Sequence, residues 1–202
     1  MTACTSCGVE LQTPLVCGAC GALQDPGTEP APHEVFGLDP SFHVDVKDVE
    51  KRLMKLSRAL HPDFFAGADE ATRELAERNT ARANAAFELL TDPVALADWW
   101  ILELGGPAEK DERQMPPAFL MEVIEWNEAI DDADGSDDRA SRLAPLSNEL
   151  ESQRASVLDT VVRAFDSLPH PPSDLVAVRR QLNVIRYLNR ALACIRGEVN
   201  AL

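Results

Sequence analysis

Aromatic side chains are scarce. Seven Phe, three Trp and one Tyr are 5% of the 202 residues, so any core must be mostly aliphatic. Cations are also few: 19 Lys and Arg stand against 34 Asp and Glu, a formal net charge of −15. Such a chain as a whole repels nucleic-acid phosphates and anionic lipid, which leaves only a local basic patch for binding either. No apolar run approaches the roughly 20 residues of a membrane span. Residues 1–7 lack the basic and apolar regions of a secretory signal and the Arg-rich pattern of a transit peptide. The expectation is a cytoplasmic protein, although the mature form of one imported into the mitochondrial matrix would read the same. No segment makes a convincing strand, so the expected fold class is all-α.

Cysteine is the concentrated exception. Four of five lie in the first twenty residues, as Cys4-x-x-Cys7 and Cys17-x-x-Cys20, each pair followed by glycine (Gly8, Gly21). Glycine lets the backbone amides turn towards the sulfurs. Two such knuckles facing each other give a tetrahedron of thiolates, which suits one structural zinc ion. A reducing compartment favours metal over two disulfides, and a dithiol redox motif normally sits in a larger α/β unit that is absent here. Zinc ribbons bind nucleic acid, bind protein or cap a fold. Residues 9–16 carry no Lys or Arg, which argues against nucleic acid. Cys194 stands alone on a late helix and reads as a small packing residue.

The Pro-rich stretch 25–32 and the Gly-Gly and proline run at 105–116 divide the chain. The expected parts are a metal-binding module (1–24), a linker (25–32), a helical domain (33–104), a second linker (105–116) and a helical bundle (117–202). In the first domain Val46, Val49, Leu53, Leu56 and Leu60 recur at helical spacing behind an N-cap at Asp45. Residues 47–58 hold five cations, Lys47, Lys51, Arg52, Lys55 and Arg58, against Asp48 and Glu50. That local excess in an acidic chain points to a partner surface, where otherwise a solvated face would suffice. Pro62 ends this helix. Another begins near Asp69, with Leu75, Ala83, Phe87 and Leu90 as its inner stripe, and ends at Thr91-Asp92-Pro93.

In the second domain Phe119, Val123, Trp126 and Ile130 share one helical stripe, enough for a bundle core. Leu120, Met121 and Ile124 point elsewhere, among Glu125 and Glu128. Either they widen the core or pack on the first domain, or they form a docking patch of flexible apolar anchors with an acidic rim. Leu143, Leu146, Leu150, Val157, Val161 and Phe165 mark a second bundle helix, and Leu175, Val178, Leu182, Ile185 and Leu192 a third. Pro169, Pro171 and Pro172 are expected to fix the turn between those two.

A basic helix, then His61-Pro62-Asp63, then a helix ending Asn84-Ala85-Ala86-Phe87-Glu88-Leu89-Leu90-Thr91-Asp92-Pro93 resembles a J-domain. His33-Glu34-Val35-Phe36-Gly37-Leu38 resembles the short first helix of that fold. The stretch from Pro117 to Trp126 and the later Arg186-Tyr187-Leu188-Asn189-Arg190 are similar to the iron–sulfur J-type co-chaperones (HscB-like, or Jac-type), some of which carry an N-terminal tetracysteine module. Two positions depart: Phe64 follows the tripeptide where many J-domains have Lys or Arg, and Asn127 stands where the family often has Arg.

The resemblance implies a helical-hairpin J-domain and a C-terminal three-helix bundle, with no enzymatic chemistry of their own. It implies a DnaK-type (HscA-like) chaperone ATPase as partner for His61, Pro62, Asp63, Lys51, Arg52, Lys55 and Arg58. It also implies an iron–sulfur cluster scaffold protein as partner for Leu120, Met121, Ile124, Glu125, Glu128, Asp132 and Tyr187. A nucleic-acid-binding zinc ribbon would need a basic knuckle. A general chaperone for unfolded clients would call for a broad apolar groove or a Gly/Phe-rich linker. Neither is written in the chain.

Overall fold

The structure, a computed structural model, describes residues 3–166, 168 and 174–199, leaving aside the side chain of Pro62. Pro169, Pro171 and Pro172 lie outside the described residues. Those described form seven α-helices: α1 (Pro32–Val35), α2 (Val46–Ala59), α3 (Glu70–Thr91), α4 (Pro93–Glu103), α5 (Pro117–Ala133), α6 (Arg139–Ala164) and α7 (Leu175–Arg196). A short 3-10 turn, Pro62–Phe65, lies between α2 and α3. The β-structure among them is two isolated antiparallel bridges, Ala3 with Glu10 and Val16 with Leu23. The chain groups into two compact units, 1–96 and 97–202, with the boundary inside α4.

The first unit is built on α2 and α3, whose limits follow from local chemistry. The Asp45 carboxylate accepts the N–H groups of Lys47 and Asp48, and the Asp69 carboxylate accepts that of Thr72 at 2.7 Å. Each satisfies donors that a helix start leaves open. Pro62 stops α2 and Pro93 stops α3, since neither can extend the hydrogen-bond ladder.

The inner stripe of α3 is Ala76, Asn79, Ala83, Ala86 and Leu90, while Leu75 and Phe87 are half-buried flanks. Ala83 and Leu90 of the expected stripe are buried, while Leu75 and Phe87 give way to Ala76, Asn79 and Ala86. Alanines let neighbouring backbone come close, and larger side chains are displaced to the sides. On α2, Val49, Leu56 and Leu60 are buried, but Val46, in the first turn, is exposed. Part of the space against α3 is filled by the cysteine segment. Leu15 is fully buried, and Thr13 donates its hydroxyl to the Val35 carbonyl of α1 at 2.8 Å.

In the second unit α5, α6 and α7 pack on one another. Phe119, Val123, Trp126, Leu150, Val184, Leu188 and Leu192 form its main cluster, and Ile130, Leu143 and Cys194 a second. Complete burial of such a side chain contributes about 1.5–3 kcal/mol. Cys194 is thus a packing residue, as its isolation suggested. Arg179 is fully buried, and its guanidinium pairs with Asp98 and donates to the Pro107 carbonyl at 2.9 Å. A charge so placed must be paired.

Candidate functional site

The two knuckles repeat one backbone pattern. Cys4 N–H bonds the Val9 carbonyl at 2.8 Å and Gly8 N–H bonds the Cys4 carbonyl at 3.0 Å. Cys17 with Ala22 and Gly21 with Cys17 do the same, both at 2.9 Å. Gly8 and Gly21 hold φ of 73° and 74°, a conformation in which a side chain is strained. The turns bring all four Sγ atoms within 4.8 Å of one another. Cys4 lies 3.7 Å from Cys20, and Cys7 lies 3.7 Å from Cys17.

A thiolate tetrahedron with metal–sulfur bonds of about 2.3 Å has edges of about 3.8 Å, so the set fits a metal ion. All four cysteines are free, and the sulfur separations exceed by far the ~2.05 Å of a disulfide. Electrostatics agree with a site built for a cation. The N–H groups of Cys7 and Ser6 bring the Cys4 thiol down to about 6, and those of Cys20 and Ala19 lower Cys17. The Val9 N–H pulls Cys7 down, but the Cys20 sulfur, lost solvation and the other two sulfurs lift it to about 12. Four thiolates this close repel one another until a cation joins them.

The second arrangement is the tip of the α2–α3 hairpin. His61 caps the 3-10 turn, its Nδ1 accepting the Asp63 N–H at 3.3 Å. The Asp63 carboxylate is almost fully exposed, with side-chain exposure of 90%. Phe64 is exposed too, and its ring meets the His61 ring edge-on with centroids 6.4 Å apart.

Lys47, Lys51, Lys55 and Arg58 line the open side of α2, and Met54 is exposed among them. Arg52 is engaged differently: it pairs with Asp48 at 2.7 Å and donates to the Phe36 carbonyl at 2.8 Å. The second bond ties the C-terminal end of α1, which itself packs on α3, to α2.

The third arrangement is on α5. Phe119, Val123, Trp126 and Ile130 are buried, while Leu120, Met121 and Ile124 are 42%, 59% and 50% exposed. Glu125, Glu128 and Asp132 are exposed beside them. Tyr187 of α7 is half-buried, its ring edge-on to Phe119 at 5.9 Å. Asn127 gives its amide to the Val123 carbonyl of its own helix. The structure thus gathers the four cysteines, the tip with the open side of α2, and the α5 patch into three separate clusters.

Sequence reasoning missed Gln24 and Asn79. Gln24 is buried and donates to Cys4 Sγ at 3.5 Å. Asn79 is fully buried and bonded to the cysteine segment. A polar residue within the Ala76–Ala83–Leu90 spacing was the available signal.

Residues 115–196 match the family model described as the HSCB C-terminal oligomerisation domain. Over 134 residues the chain is 35% identical to the co-chaperone protein HscB homolog of Bordetella avium, covering 66% of this chain and 78% of that one. Over 142 residues it is 31% identical to the homolog of Shewanella loihica, covering 62% and 82%. Among solved structures, human co-chaperone protein HscB aligns over 98% of both chains with a TM-score of 0.78 at 23% identity. Chaperone HscB from Vibrio cholerae aligns over 84% of this chain and 97% of its own, with a TM-score of 0.70 at 22% identity.

Proposed function

The chain belongs to the HscB family of J-type co-chaperones of iron–sulfur cluster biogenesis, and from that premise we propose that it stimulates ATP hydrolysis by a DnaK-type (HscA-like) chaperone and delivers the iron–sulfur scaffold protein to it. The observation that carries this reading is the exposed His61–Asp63 turn at the end of a helix whose open side is cationic. Lys47, Lys51, Lys55 and Arg58 steer the turn onto an acidic chaperone surface and raise the association rate. Arg52 contributes by holding α1, which keeps the hairpin in shape.

The Asp63 carboxylate accepts a bidentate bond from a chaperone arginine, a strong and directional contact. Pro62 restrains the backbone of the turn, so less ordering is lost on binding. The chaperone performs the hydrolysis, and the turn favours the conformation in which it is fast.

On α5, Leu120, Met121 and Ile124 supply apolar anchors for the scaffold. Glu125, Glu128 and Asp132 form the rim, and Tyr187 backs the patch through Phe119. Holding the scaffold on the same chain raises its effective concentration at the chaperone. Cys4, Cys7, Cys17 and Cys20 hold one structural zinc ion, which supplies folding free energy to a segment too short to fold alone.

The test is a reconstituted ATPase assay with chaperone and scaffold, alongside a pull-down from cell extract. His61→Gln is expected to abolish stimulation and leave scaffold binding intact. Full stimulation by that variant would overturn the reading.

A further inference from the structure

The side chain that joins the cysteine segment to the helical hairpin is both polar and buried. Asn79 sits in the inner stripe of α3 with no exposed surface. An asparagine there destabilises the fold unless its groups are paired. The Asn79 amide donates to the Leu15 carbonyl and to the Gln24 carbonyl, each at 2.9 Å. Its Oδ1 accepts from Arg82 at 3.0 Å.

Leu15 precedes the second knuckle and Gln24 follows it. Gln24 reaches back to the first: its Oε1 accepts the Thr5 N–H at 3.1 Å and its Nε2 donates to Cys4 Sγ at 3.5 Å. One set of hydrogen bonds therefore runs from a ligand sulfur to the middle of α3. One residue further, the Thr80 hydroxyl donates to the Ala76 carbonyl of its own helix at 2.8 Å and packs 3.4 Å from the Leu60 carbonyl, immediately before His61.

We propose that Asn79 and Gln24 are positioning residues that make the placement of α3, and through it the His61–Asp63 turn, depend on the metal held by the four cysteines. The acceptors of the Asn79 amide are backbone carbonyls of a segment that keeps its shape only while its sulfurs are joined. When the metal leaves, that segment loses the shape that both pairs the Asn79 amide and covers the centre of α3. Whatever metal binding contributes to α3, α3 returns as metal affinity, because the coupling is reciprocal. The coupling between metal and α3 stands by itself. Its last link, to the chaperone, rests on the function proposed above.

The experiment uses the full chain and zinc(II). Zinc affinity is measured by competition with a chromophoric chelator, and amide hydrogen exchange is followed with and without zinc. Removing zinc is expected to speed exchange at residues 76–86 by about tenfold or more relative to α7, which belongs to the other unit. Asn79→Leu, which touches no sulfur, is expected to weaken zinc binding by about fivefold or more. Gln24→Leu keeps the backbone carbonyl used by Asn79 and is expected to weaken zinc binding about tenfold.

Wild-type zinc affinity in both variants, or exchange in α3 that ignores zinc, would overturn the coupling. If Asn79→Leu does not fold, Gln24→Leu and the exchange comparison on the unaltered chain decide. For the last link, zinc-free protein is expected to need about fivefold more co-chaperone for half-maximal ATPase stimulation, with the maximum unchanged. An unchanged half-saturation point alongside zinc-sensitive exchange overturns that link alone. Full stimulation by His61→Gln overturns the functional reading and leaves the zinc–α3 coupling standing.

Discussion

The Nδ1 atom of His61 accepts the backbone N–H of Asp63, so the imidazole caps the turn that presents the neighbouring carboxylate. Glutamine can offer an amide but cannot place an acceptor with the same ring geometry. His61→Gln should stay folded and lose no more than the ~1 kcal/mol of one cap, since the side chain is more than half exposed. Single-turnover ATPase measurements should then show no acceleration of the chaperone.

The cationic residues of α2 divide into two roles, and mutagenesis should separate them. Lys51→Ala with Lys55→Ala should lower the association rate with the chaperone and flatten its dependence on salt, leaving stability unchanged. Arg52→Ala should loosen α1, because its guanidinium holds the Phe36 carbonyl. Thermal melts and stopped-flow binding at two ionic strengths distinguish these outcomes.

On α5 the expected contrast is between adjacent faces. Replacing Leu120, Met121 and Ile124 by Ala should weaken scaffold binding more than about tenfold, an effect of hot-spot size, with little change in urea midpoint. Trp126→Ala, in the core beside Phe119, should cost about 3–5 kcal/mol. Calorimetric titration and urea denaturation read the two effects. Native affinity in the triple variant would remove the patch from the mechanism.

Acid should release the metal. A ligand sulfur must lose its proton to bind, so affinity rises with pH and falls on acidification. The Cys4 thiol is held at about 6, below the ordinary 9.0, chiefly by the Cys7 N–H. Its contribution to the folded state is complete above the ordinary value and is lost as pH falls through about 6. Cys7, at about 12, still holds its proton at neutral pH and must surrender it to the metal. Chelator competition between pH 5 and 8 should show the steepest loss below about pH 6. A pH-independent affinity would contradict thiolate ligation.

In the second unit, Asp98→Asn should be costly although Asp98 itself is partly exposed. It leaves the Arg179 guanidinium buried and uncompensated, a loss of about 3 kcal/mol or more. Asp98→Asn with Arg179→Met should recover part of that loss, which equilibrium urea unfolding can measure.

Helix positions were legible because their signals are local. Asp45, Asp69, Pro62 and Pro93 stop or start helices within a few residues of themselves, and the structure caps or breaks them there. The metal cluster was legible from two identical spacings. The two faces of α5 followed from the helical period. What could not be read were choices made between distant segments. Composition marks residues 25–32 as a break, yet Arg82 of α3 pairs with Glu29 at 3.1 Å. Leu75 looked like a core residue until small alanines, and a covering segment some sixty positions away, took the inner face. Charge alone could not tell Arg52 from Lys51, since the distinction depends on where the Phe36 carbonyl lies.

The amide of Asn79 finds its acceptors only in a stretch that some proteins of this architecture could dispense with. A lineage that discarded the cysteines would leave this group stranded and have every reason to replace it. A lineage that kept them would keep a hydrogen-bond donor at this position. The identity of one residue in the middle of a helix then becomes a record of whether the metal-bearing arm was inherited, and it can be read in genomes without solving a structure.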